Sequence, residues 1–87
     1  MKENSASIRK VKMSKNNDIK PHIEYHKDGS VLAKGNVVNG LPEGYWEWFR
    51  KDGSRMRSGY FKKGKQVGEW ITYDRTGAPV KITNFKE

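Results

Sequence analysis

Two histidines, His22 and His26, stand four residues apart with Glu24 between them. On a helix that spacing would turn both imidazoles toward one metal ion. Here the flanking residues, PHIEYHKDGSV, read as a strand running into a turn, so the two rings fall at its start and end. No third ligand stands close enough to converge with them at about 2 Å. The carboxylates of residues 21–87 are Glu24, Glu43, Glu47, Glu69 and Glu87 with Asp28, Asp52 and Asp74. Asp28 and Asp52 precede glycines in turn-like stretches, and no pair is forced into an apolar pocket, as acid–base catalysis requires. There is no cysteine. Ser30 and Ser54 are turn residues, and Ser58 has no histidine beside it to act as base. The glycines do not precede a helix, so they form no phosphate loop. The residues thus point away from an enzyme and from any metal or cofactor.

Binding chemistry is better represented. The chain carries a formal charge of +8. Residues 1–20 contribute six Lys/Arg against two acids; residues 21–87 contribute twelve against eight. A basic balance of this kind favours acidic partners and also keeps a small protein soluble. Arg50, Arg55, Arg57 and Lys81 are interleaved with Trp46, Trp48 and Trp70, a mixture suited to protein hot spots and to single-stranded nucleic acid.

The elements that must position these groups follow from one period. KDGS occurs at 27–30 and again at 51–54. In steps of 24, Gly29, Gly53 and Gly77 fall in register, as do Gly35 with Gly59, Gly40 with Gly64, and Gly44 with Gly68. Tyr25, Phe49 and Tyr73 form an aromatic column; Leu32, Met56 and Val80 form an aliphatic one; Val37, Phe61 and Phe85 form a third. Such periods mean stacked units. Each unit reads as strand, turn, strand, turn, with glycine supplying the positive φ of a tight hairpin. The sequence predicts an all-β fold: an antiparallel up-and-down meander of six short strands from three hairpin repeats over residues 21–87. Residues 1–20, without aromatics and rich in Lys, Ser and Asn, read as a flexible basic arm.

A two-residue turn at Asp28–Gly29 predicts Tyr25 opposite Leu32, Phe49 opposite Met56 and Tyr73 opposite Val80. A type II′ turn at Gly40–Leu41 then puts Lys34 opposite Glu47 and makes that six-residue row continuous on one face, with Ile23, Ile71 and Ile82. Trp46 falls between Gly35 and Gly59, and Trp70 beside Gly59. The glycines make room for the indoles, which cover the bare backbone. The second face then carries the tryptophans, Val37, Phe61, Phe85, Arg50, Arg55, Arg57 and Lys81. One layer cannot hide both faces, so the sheet coils on itself or buries a face against another chain.

The pattern Y-x-x-D-G-S-x-x-x-x-G-x-x-x-x-G-x-x-x-G-x-W, ending G-K-x-x-G-x-W-x-x-Y, resembles MORN repeats. It is most similar to their bacterial variant, carried by small proteins described as antitoxins. GYFKKGKQVGEWITYDRTG (Gly59–Gly77) is the best stretch, and the likeness covers about residues 22–85. It departs from the pattern at His22, where the other units have Trp, and the third unit lacks its second half. The resemblance implies hairpin repeats, protein contacts and, in eukaryotic members, acidic phospholipid binding. The expectation is a non-enzymatic interaction module for an acidic protein or a second copy of itself. Trp46, Trp48 and Trp70 would anchor the contact, and Arg55, Arg57 and Lys81 would steer it. Single-stranded nucleic acid or an anionic membrane is the alternative. With no cysteine, no secretion signal and no membrane-length apolar run, the cytoplasm is the expected location.

Overall fold

The computed structural model describes residues 18–87. They form six strands: β1 (Ile19–Tyr25), β2 (Val31–Val38), β3 (Leu41–Phe49), β4 (Arg55–Lys62), β5 (Lys65–Tyr73) and β6 (Pro79–Phe85). The strands make one antiparallel sheet in sequence order, an up-and-down meander without a helix among the described residues. The expected arm at 1–20 lies mostly outside the described residues; the first strand begins at Ile19, two residues before the expected boundary.

The 24-residue period appears in the backbone as two kinds of turn on opposite ends of the sheet. At one end are 26–30, 50–54 and 74–78. In each, the glycine N–H donates three residues back, Gly29 to His26, Gly53 to Arg50 and Gly77 to Asp74, and the flanking residues close the loop (His26 N–H to Ser30 carbonyl, 2.8 Å). This is a type I turn centred on Lys27–Asp28 with Gly29, at φ +91°, as a bulge. It corrects the expected two-residue Asp28–Gly29 turn. The aspartate is there for its side chain and not for positive φ: Asp28 Oδ1 accepts from the Ser30 N–H at 2.9 Å and its hydroxyl at 2.6 Å. Asp52 does the same with Ser54, and Asp74 with Thr76.

At the other end the loops are Asn39–Gly40 and Lys63–Gly64, each with two positive φ values (54° and 80°; 51° and 83°). Val38 pairs with Leu41, and Lys62 with Lys65. These are type I′ turns, whose twist matches that of the strands. The expected type II′ turn at Gly40–Leu41 is therefore displaced toward the N-terminus. The displacement is absorbed inside the strands. Lys34 faces Glu47 as expected, but Asn36 faces Glu43, leaving Gly35 alone opposite Gly44–Trp46. Gly59 stands alone in the same way opposite Gly68–Trp70. Gly44 and Gly68 take positive φ (78° and 68°) to make these bulges.

A smaller irregularity recurs beside each type I turn. Tyr25 pairs with Val31, Phe49 with Arg55 and Tyr73 with Pro79. Leu32, Met56 and Val80, the expected partners, are skipped as extra residues. Elsewhere the expected register holds, including Trp46 opposite Gly59 and Ile71 opposite Ile82. The core is thin and split between the faces: Ala33, Trp46 and Trp70 on one, Tyr73 with Ser58 on the other.

Candidate functional site: two unlike sheet faces

The tryptophan face is built by the bulges. Where a Cβ of Gly35 would stand, the indole of Trp46 lies; Trp70 lies in the same way over Gly59. Each indole N–H reaches a backbone carbonyl on the strand it covers, Trp46 to Asn36 at 2.9 Å and Trp70 to Tyr60 at 3.1 Å. Trp48 and Phe61 fill the space between them, with ring centroids 5.3 Å from Trp48 to Trp70 and 5.1 Å from Phe61 to Trp70. Phe85 closes the cluster edge-on to Trp70, and His22 closes it against Trp46. Edge-to-face contacts of this kind are worth about 0.5–1.5 kcal/mol beyond the area they bury. The aromatics here serve the fold: Trp46 is 5% and Trp70 6% exposed, with both N–H groups satisfied, so little of either ring is offered to a partner. Of the three expected anchors, Trp48 is the half-exposed one.

Arg57 and Lys81 stand on this face. Arg57 is paired directly with Trp48 on one side and Thr72 on the other, and Lys81 with Thr72. Arg55 does not share the face. The extra residue at Met56 moves it to the opposite side, where Nη1 lies 3.0 Å from Glu47 Oε2 and the guanidinium stacks 4.2 Å from the Tyr73 ring centroid. Glu47, by its hydrogen bond, raises the Arg55 pKa further above its ordinary value. Arg50 is not on the tryptophan face either. It lies at the type I turn end, donating to the Ser54 hydroxyl and to the carbonyls of Arg55 and Tyr73. His26, one period earlier, donates to the Phe49 carbonyl at 2.9 Å. These two side chains tie the first two type I turns to the strand of the next unit.

The second face carries Tyr25, Phe49 and Tyr73 as expected, but its centre is polar. Tyr73 and Ser58 share a buried hydroxyl–hydroxyl bond of 2.9 Å, and Tyr45 bonds Glu47 and Arg55. Around this network Ile19, Ile23, Tyr25, Leu41, Tyr45, Tyr60 and Ile82 are exposed. By strand alternation and register all seven lie on this face. Sequence reading placed three of them here and did not mark Ile19, Leu41, Tyr45 or Tyr60. The alternation Tyr45–Glu47–Phe49 and Ser58–Tyr60 could have revealed the tyrosines.

The histidines part company: His22 Nε2 lies 3.1 Å from Glu24, while His26 turns to the Phe49 carbonyl. Among the described residues no three His, Cys, Asp or Glu side chains are grouped to hold a metal ion.

The turn carboxylates give the sheet an acid-sensitive end. Hydrogen bonds from the Ser54 hydroxyl and N–H, then Arg75 at 2.9 Å, lower the Asp52 pKa to about 2. Asp28 and Asp74 are lowered by their Ser30 and Thr76 hydroxyl bonds. A pKa depressed by folding stabilises the fold above the unfolded value and is lost as pH falls through the folded value. The urea midpoint is therefore expected to hold from neutral pH to about 5, then fall steadily toward about 2. Asp52→Asn keeps an acceptor but removes one titration, so its acid fall should be shallower. An identical fall in the variant, read by circular dichroism, would contradict the assignment.

No family model matches this chain, and neither a curated protein nor a solved structure matches it.

Proposed function

We propose that the chain is a non-enzymatic, MORN-like interaction module that binds protein through its tyrosine–isoleucine face. One observation carries the reading: the seven exposed large hydrophobics named above share one face of a single-layer sheet. Exposed large apolar side chains gathered on one face mark an interaction site, and tyrosine is a preferred contact residue.

A second copy of the chain is the occupant this face fits. Its strands place Lys34, Arg55, Lys62 and Lys65 against Glu43, Glu47 and Glu69, near balance in a chain of +8. Two copies meeting here bring few like charges together. Six strands spaced ~4.8 Å and seven to nine residues long give a face of roughly 24 by 26 Å. That is somewhat below the ~800 Å² each partner contributes to a standard interface. The antitoxin resemblance accommodates the same module, with an acidic protein competing for the surface. A cysteine-free chain suits the cytoplasm, where we place it.

Light scattering of the full chain should show a dimer that Ile82→Lys or Tyr60→Lys converts to a folded monomer. A wild-type chain that stays monomeric at high concentration would remove the second copy. Unchanged association in both variants would remove this face.

A further inference from the structure

The tryptophan face holds one feature that the packing of the repeats does not explain. Across β3 to β6 runs a row of directly paired residues, Trp48, Arg57, Thr72 and Lys81. In the period, Thr72 occupies the slot of Trp48, and Arg57 and Lys81 occupy the slot of Ala33, which is buried. Where the second repeat has an indole, the third has a short hydroxyl side chain. An open cleft of about 200 Å³ lies above Trp70; the equivalent groove above Trp46 is lined by Trp48, His22 and the carboxylate of Glu24 instead. The polar lining of the cleft above Trp70 is Arg57, Lys81, Thr72, Thr83 and Gln66, with no carboxylate.

Among the described residues the charges in this cleft have no ion-pair partner. Arg50 bonds backbone carbonyls, Arg55 bonds Glu47 and Arg75 bonds Asp52. Among the described residues nothing accepts a hydrogen bond from the side chain of Arg57 or Lys81. Their strands flank that of Thr72, so their backbones are roughly 10 Å apart. Long side chains reaching inward from that separation can meet on one oxyanion, with the Thr72 hydroxyl beneath it. A guanidinium fork suits two oxygens of a phosphate, and an ammonium serves as a point charge for a third.

We propose that this cleft binds a phosphate group, Arg57 supplying the bidentate contact and Lys81 and Thr72 completing it. The site lies on the face opposite the one assigned to protein contact, so the two readings stand or fall separately.

The test is a titration of the full chain with inorganic phosphate, followed by amide and arginine side-chain NMR at ionic strength held constant with chloride. Saturable shifts are expected at Arg57, Thr72, Lys81 and Thr83. Arg57→Ala and Lys81→Ala should each weaken binding about tenfold with the melting temperature unchanged, and Arg57→Lys should bind less tightly than wild type. Shifts spread over all lysines, or equal responses to chloride and phosphate, would show ionic screening only and overturn the site. So would full binding by Arg57→Ala. Glycerol phosphate and oligothymidylate identify the source. Tighter binding of the first at the same residues assigns a small phosphomonoester, and of the second a nucleic-acid strand.

Discussion

Gly59→Ala is expected to cost the fold about 3–5 kcal/mol, the range for losing a large buried aromatic. A Cβ at this position would stand only 2.1 Å from Cδ2 and 2.3 Å from Cε2 of the Trp70 indole. The indole cannot yield sideways, because its N–H is held by the Tyr60 carbonyl and its flank by Phe61. It must leave, and the cluster of Trp48, Phe61 and Phe85 opens with it. Small domains have little stability to lose, so the variant should be largely unfolded at room temperature by circular dichroism and show red-shifted tryptophan fluorescence. Gly77→Ala separates this clash from backbone strain. Gly77 has φ +93°, and nothing lies within 4 Å of where its Cβ would stand, so only the left-handed penalty of about 1–2 kcal/mol applies. A thermodynamic cycle sharpens the test. Trp70→Ala should cost about as much as Gly59→Ala, while the double variant should cost little more than either. Additive losses would show that the two residues do not meet.

The second large effect lies on the other face. Tyr73→Ala should destabilise by about 3–4 kcal/mol. Tyr73 is 7% exposed, its ring carries the Arg55 guanidinium, and its hydroxyl meets Ser58, itself 4% exposed. Tyr73→Phe isolates the last of these contacts. It keeps the ring and removes the hydroxyl that lies 2.9 Å from Ser58, at about 1–3 kcal/mol. Adding Ser58→Ala should then recover stability, because an apolar pair leaves no buried polar group unpaired. Chemical denaturation of the four proteins decides the matter; a double variant less stable than Tyr73→Phe would contradict the hydroxyl pairing.

The strand count, the hairpin order and the seating of Trp46 and Trp70 over Gly35 and Gly59 were all legible in the sequence, because each rests on residue types that repeat every 24 positions. The turns were less so. Lys63 takes a positive φ with no side-chain preference for it, held by the geometry of the ladder and by its N–H donating to Glu43 at 2.7 Å. Only Asn39, its counterpart, signals the type I′ turn. The bulge at Met56 was invisible because it depends on how the neighbouring type I turn closes. That single extra residue moved Arg55 away from Arg57. The candidate site was consequently half readable: Arg57 and Lys81 share a face, and Ile23, Tyr25 and Ile82 were placed on the other, but the exposure of Tyr45, Tyr60, Ile19 and Leu41 around them emerged from the three-dimensional structure.

The glycine beneath each tryptophan also determines where growth of the array can stop. The slot holding Gly35 and Gly59 holds Thr83 in β6, which already has a Cβ. An additional hairpin docking on that edge could not lay its indole flat, and Pro79 at the start of the strand withholds one ladder donor. The edge of β6 is thus a poorer template for an indole-bearing hairpin than β2 or β4. Edge-to-edge addition of like hairpins is less favourable there than along the glycine-bearing strands.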